Sequence, residues 1–172
     1  DLRTWPRLFA IAERFWSAKN LTDDHSMYQR LAVIDYYAAD IIGLSHHQQQ
    51  QAGFANLVGT GLKQLTNNLS SDVETLLVFA QALEPAQYYT RHHIKYQQKL
   101  YHQEAPLNHY VDYLPVESFV LLALKRYAGQ HQAGNDNALN TIKSVFEQWQ
   151  QSEEQLKKVI AKHEKLNELN TY

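Results

Sequence analysis

The residues that could do chemistry fall into three groups. Two acid pairs stand out first, Asp23-Asp24 and Glu153-Glu154. Paired carboxylates can divide general-acid and general-base work, but the first pair sits where a helix should begin. The second lies on a highly charged helical face. The next group is His46-His47, followed by Gln48 to Gln51. Two imidazoles could ligate a metal, yet adjacent side chains on a helix point about 100° apart and seldom share one ion. We read this stretch as a solvated connection. The third group runs from Pro85 to Pro115, where Tyr88, Tyr89, Tyr96, Tyr101, Tyr110 and Tyr113 alternate with Arg91, His92, His93, Lys95, His102 and His109, and Glu104 and Asp112 add carboxylates. Tyrosines offer apolar faces to sugar rings and polar tips to hydroxyls, so this segment is either a carbohydrate-contacting surface or packed bodies with wet tips.

Other chemistries find no support. Gly59-Thr60-Gly61 lacks the preceding strand and the following Gly-Lys-Ser/Thr of a phosphate loop. Cysteine is absent, which removes disulfides and thiolate metal sites. No catalytic, cofactor-binding or metal-binding residue is assigned on the sequence.

The elements that must carry these groups read as helices throughout. Gly and Pro are few and period-2 patterns are scarce, so the expected class is all-α, a bundle-like domain with a long C-terminal helix. Thr4 can cap a first short helix entered through Trp5-Pro6, with Leu8, Phe9, Ala12, Phe15 and Trp16 on one apolar face. A second helix runs from Asp23/Asp24 to Ile42. Thr22 or Asp24 caps it, Met27, Leu31, Ile34, Ala38 and Ile41/Ile42 form its stripe, and Gly43 ends it. Phe54, Leu57, Val58, Leu62 and Leu65 make a weaker stripe interrupted by Gly59 and Gly61.

Ser71-x-x-Glu74 reads as a capping box opening a buried helix through Leu83, stopped by Glu84-Pro85. Pro115 or its neighbour opens another buried helix, from Phe119 to Gly129. Asn135 or Asp136 then caps the longest one, to about Asn167, with a heptad-like seam of Leu139, Ile142, Phe146, Trp149, Glu153, Leu156, Ile160 and His163. Its first half should pack on the domain and its charged second half should project.

The residue types of the first helices go beyond what amphipathicity requires. Trp5-Pro6-Arg7, Ala10, Ala12-Glu13-Arg14, Trp16-Ser17, Thr22-Asp23 and Met27-Tyr28-x-Arg30-Leu31 resemble the end of the catalytic barrel of family 20 glycoside hydrolases, the β-N-acetylhexosaminidases. Gly43-Leu44-x-His46 resembles the element that closes that barrel. A looser likeness to the helical extension of certain bacterial members follows at Leu83-Glu84-Pro85…Tyr89-x-Arg91 and Pro106-Leu107-Asn108…Val111-Asp112…Pro115-x-Glu117-Ser118.

The resemblance implies that residues 1–46 are the terminal helices of a (β/α)8 barrel and that 47–172 are a helical C-terminal domain. It implies an upstream catalytic barrel in the same polypeptide, acting on an N-acetylhexosamine-containing glycan. In that family hydrolysis is substrate-assisted: the acetamido oxygen attacks, and an upstream Asp-Glu pair orients it and protonates the leaving oxygen. None of those motifs is matched here, so this stretch is expected to be structural and non-catalytic. Glu13 and Arg14 are expected to pair with barrel elements outside the chain.

Length agrees, since 172 residues suffice for one domain but a complete barrel needs about 250. Opening on Asp1 fits a fragment or a processed chain. A formal net charge of -2 leaves no electrostatic footprint for nucleic acid, and no apolar run reaches the length of a membrane span. The compartment is not fixed by any of this. The alternative reading is a stand-alone all-α interaction module using its long last helix. In either case the unpartnered apolar face of the first helix makes a homo-oligomer possible.

Overall fold

The computed structural model describes residues 4–60, 69–83 and 108–171, and among these every regular element is helical. Six α-helices follow one another: α1 (Arg7–Trp16), α2 (Asp24–Tyr37), α3 (His46–Leu57), α4 (Ser71–Ala80), α5 (Phe119–Gln132) and α6 (Asp136–Lys162). A π turn at Ala38–Ile42 and short 3-10 segments at Tyr110–Tyr113 and Glu164–Thr171 complete the described set. The all-α expectation holds.

The core forms where α3, α4, the end of α6 and the 3-10 segments meet. Phe54, Leu57, Val58, Val73, Leu76, Tyr110, Leu114, Val159, Ile160 and Leu166 are buried together there. Phe54 stacks on Tyr110 with ring centroids 5.1 Å apart and meets Tyr113 edge-on at 6.0 Å. The Tyr110 hydroxyl donates to the Leu76 carbonyl at 2.8 Å, which satisfies a polar tip that burial would otherwise leave without a partner. Burial also pushes this phenol well above its ordinary pKa. Tyr110 is therefore a packed body whose tip is dry. Tyr88, Tyr89, Tyr96 and Tyr101 lie outside the described residues, as do Arg91, His92, His93, Lys95, His102, Glu104, Leu62 and Leu65.

Helix ends depart from expectation in consistent ways. Pro6, not Thr4, occupies the cap of α1, with no side-chain cap bond. Asp23, rather than Thr22 or Asp24, caps α2 by accepting from Ser26 N at 3.0 Å. Ser70, one residue before the expected capping box, caps α4 through Val73 N. In each run of polar residues the cap is the one whose extended backbone aims its oxygen at the N2 or N3 amide, and composition alone does not say which that is.

Helix α4 stops at Ala80, before Leu83, which is exposed. Helix α5 runs through Gly129 to Gln132 and has no fully buried residue, so it is a half-buried flank rather than a core helix. The reversal comes at Gly134, whose φ of +95° suits glycine.

The largest correction concerns α6. Its middle is the exposed part, with Phe146 54% accessible, while Val159 and Ile160 near its end are in the core. The charged second half does not project. It packs on α4, and Lys162 and His163 reach the Asp72 carboxylate at 2.7 and 2.8 Å. Glu153 and Glu154 both hold Lys157, at 2.8 and 3.1 Å, on the solvent side.

Candidate functional site

Four charged residues of the first thirty positions, Arg7, Glu13, Arg14 and Arg30, have partners within the chain. Glu13 on α1 takes both arms of Arg30 on α2, Nη2 at 2.5 Å and Nε at 3.2 Å. This fork holds the Glu13 carboxyl below its usual pKa and raises that of Arg30. Arg14 donates to the carbonyls of Ala18 at 2.8 Å and Leu21 at 2.5 Å, tying down the turn between the helices. Both residues thus have partners inside the chain. Arg7 reaches across the fold to Glu117 Oε1 and the Val116 carbonyl, each at 2.9 Å. The start of α1 is thereby fixed to the segment that leads into α5.

The apolar positions of the same helices are not satisfied. Phe15 and Trp16 are 81% and 91% exposed, and α1 has no fully buried residue. On α2 the buried face is Leu31, Asp35, Ala38 and Ala39, so Ile34, Ile41 and Ile42, expected in the stripe, face outward with Val33, Tyr36 and Tyr37. Among the described residues, every exposed large hydrophobic side chain except Leu83 and Phe146 lies between Leu8 and Ile42.

Between α2 and α5 runs a groove of about 660 Å³ lined by His25, Tyr28, Phe119, Leu122 and Arg126, with Asp24 at its edge. A smaller hollow of about 320 Å³ lies between α1 and α2, around Ala10, Leu21 and Met27. Two of the acids on its wall are already engaged, Glu13 with Arg30 and Asp23 as a helix cap.

A polar cluster joins α2 to α3, and its carboxylate, Asp35, was not expected beside the two histidines. Helix α2 widens into a π turn at Ala38–Ile42, and Gly43, with φ of +84°, reverses the chain into α3. That reversal brings the first two residues of α3 back to Asp35. His46 Nε2 lies 2.9 Å from Asp35 Oδ1, and His47 Nε2 lies 3.0 Å from Oδ2. Asp35 and His46 are 4% and 2% exposed, whereas the His47 side chain is 44% exposed. The solvated connection expected here is instead the start of a helix whose first residue is buried. Burial pushes the His46 pKa down, while the bond to Asp35 raises that of His47. The two rings tilt toward each other with centroids 4.3 Å apart, so neighbouring histidines at a helix start do converge on one group. The remaining nitrogen of His46, Nδ1, is buried without a partner.

Comparison with known proteins places the fold. No family model matches the chain, and no curated protein matches it. Among solved structures, the chain is similar to the X-ray structure of Flavobacterium johnsoniae chitobiase, with a TM-score of 0.75 and 24% identity. The likeness covers 95% of this chain and 23% of that one. The helical arrangement described above therefore also occurs within a much longer glycosidase chain.

Proposed function

We propose that this chain is the C-terminal part of a β-N-acetylhexosaminidase, a brace for an upstream catalytic barrel that releases terminal N-acetylglucosamine or N-acetylgalactosamine. In this reading residues 1–46 end the barrel and 47–172 form its helical companion. The chain itself supplies no catalytic group.

The observation that carries this reading is the concentration of exposed apolar side chains between Leu8 and Ile42. Contiguous apolar surface on that scale marks a contact face. Its residues belong to the same run that resembles the barrel end of family 20 enzymes. The fold likeness to a chitobiase about four times longer supports the same conclusion. Each large side chain buried against a barrel contributes roughly 1.5–3 kcal/mol, so a few of them suffice to hold the two parts together. Internal pairing of Glu13, Arg14 and Arg30 then has a purpose, since it fixes α1 against α2 while their outer faces stay free to dock.

The test is to lengthen the coding sequence upstream of Asp1 and assay an aryl N-acetyl-β-glucosaminide. The longer polypeptide should hydrolyse it, and amides of α1 and α2 should gain protection from hydrogen exchange. An upstream sequence with no barrel, or an inactive longer product with α1 still unprotected, would exclude the proposal.

A further inference from the structure

We propose that Asp35, His46 and His47 form a binding site for one divalent transition metal of the zinc or cobalt type, clamping the end of α2 to the start of α3. The inference uses residues of this chain alone and does not depend on the glycosidase reading.

Three observations carry it. First, one ligand atom from each residue can be chosen so that all three lie within 4.8 Å of one another. Ligand atoms about 2.0–2.1 Å from a tetrahedral zinc are separated by a little over 3 Å, so closing around an ion requires only small side-chain shifts. Second, Asp35 is buried, and its two carboxylate oxygens face the two imidazoles. A buried carboxylate wants a cation, and two imidazole nitrogens with one carboxylate oxygen make a donor set suited to zinc, cobalt or nickel rather than calcium.

Third, His46 Nδ1 has no hydrogen-bond partner. Nε2 is held protonated by its bond to Asp35 alone, so an ion that takes over that carboxylate oxygen frees Nε2 to ligate once its proton moves to Nδ1. The half-exposed His47 provides the entry path and leaves the fourth position to water. The alternative, a plain hydrogen-bonded Asp-His-His cluster with no metal affinity, is an outcome of the test.

The 172-residue chain is freed of metal with chelator and titrated with Co²⁺, then Zn²⁺, following visible absorption and heat. One equivalent of Co²⁺ should bind with a low-symmetry visible spectrum, and Zn²⁺ should displace it. Zn²⁺ should also raise the melting temperature. His47→Gln, at a half-exposed position and with its fold checked by circular dichroism, should weaken Zn²⁺ binding at least about tenfold. Asp35→Asn should do the same, and His47→Gln keeps the test decisive if that buried variant unfolds. His163→Gln, which removes a histidine–carboxylate pair elsewhere in the fold, should leave binding unchanged. Absence of stoichiometric binding, or equal affinity in His47→Gln, overturns the site.

Discussion

Asp72, in the first turn of α4, lies 2.8 Å from Nε2 of His163, the residue that ends α6 ninety-one positions later. With Lys162 at 2.7 Å on the same oxygen, it fastens two helices that both contribute side chains to the core. Hydrogen bonds from Lys162, then His163, hold the Asp72 carboxyl below its usual pKa. A carboxylate stabilised in this way contributes stability that is fully present above its unfolded pKa, near 4. That stability is lost as pH falls through the lower folded value. Asp72→Asn should therefore lower the melting temperature at neutral pH, by a few degrees for a loss of roughly 1–2 kcal/mol. The gap to the wild type should shrink on acidification below about pH 4. Melting curves across pH 2–7 check both parts, and a gap independent of pH would reject the assignment.

Gly53 should not tolerate alanine. A Cβ there would run into the ring of Tyr113, whose edge faces Phe54 and whose carbonyl accepts from Gln50 Nε2 at 2.8 Å. Alanine gains about 1 kcal/mol of helix propensity, while overpacking a well-filled site costs typically 1–3 kcal/mol. The expected net result for Gly53→Ala is a lower denaturation midpoint. A more stable variant would mean that Tyr113 moves aside freely.

Tyr110→Phe keeps the ring stack on Phe54 but removes the bond to the Leu76 carbonyl. It should destabilise by about 0.5–1.5 kcal/mol in urea melts, without change in the slope. In alkaline spectrophotometric titration the wild type should retain one tyrosine that ionises later than the others, absent from the variant.

Phe15 and Trp16 project from the fold of this chain, so replacing both by Ser should change its melting temperature little. The same double change should reduce self-association, measured as concentration-dependent mass in sedimentation, because exposed apolar clusters drive it. In the lengthened polypeptide the same change should destabilise the contact between the two parts. An unchanged mass distribution in the short chain would show that another surface associates.

The purified chain should not hydrolyse an aryl N-acetylglucosaminide above background. Turnover abolished by changing one of its own carboxylates would contradict the assignment of catalysis to an upstream barrel.

The sequence by itself determined the helical class, the turn at Gly43 and the long last helix, because these follow from local spacing and from backbone freedom that few residues possess. It also marked the first thirty residues as special, through types that amphipathicity does not demand. Which faces are buried was decided only by tertiary structure. Leu31 and Ile34 are equally apolar, yet α2 turns one inward and the other to the surface. Val159 and Ile160 sit in a charged stretch and still enter the core, because Asp72 neutralises the lysine and binds the histidine that follow them. The Asp35–His46–His47 cluster could not be read from spacing. It depends on a π turn and a left-handed Gly43 that carry His46 and His47 back to a residue eleven and twelve positions earlier, and periodicity describes only residues that share one regular helix.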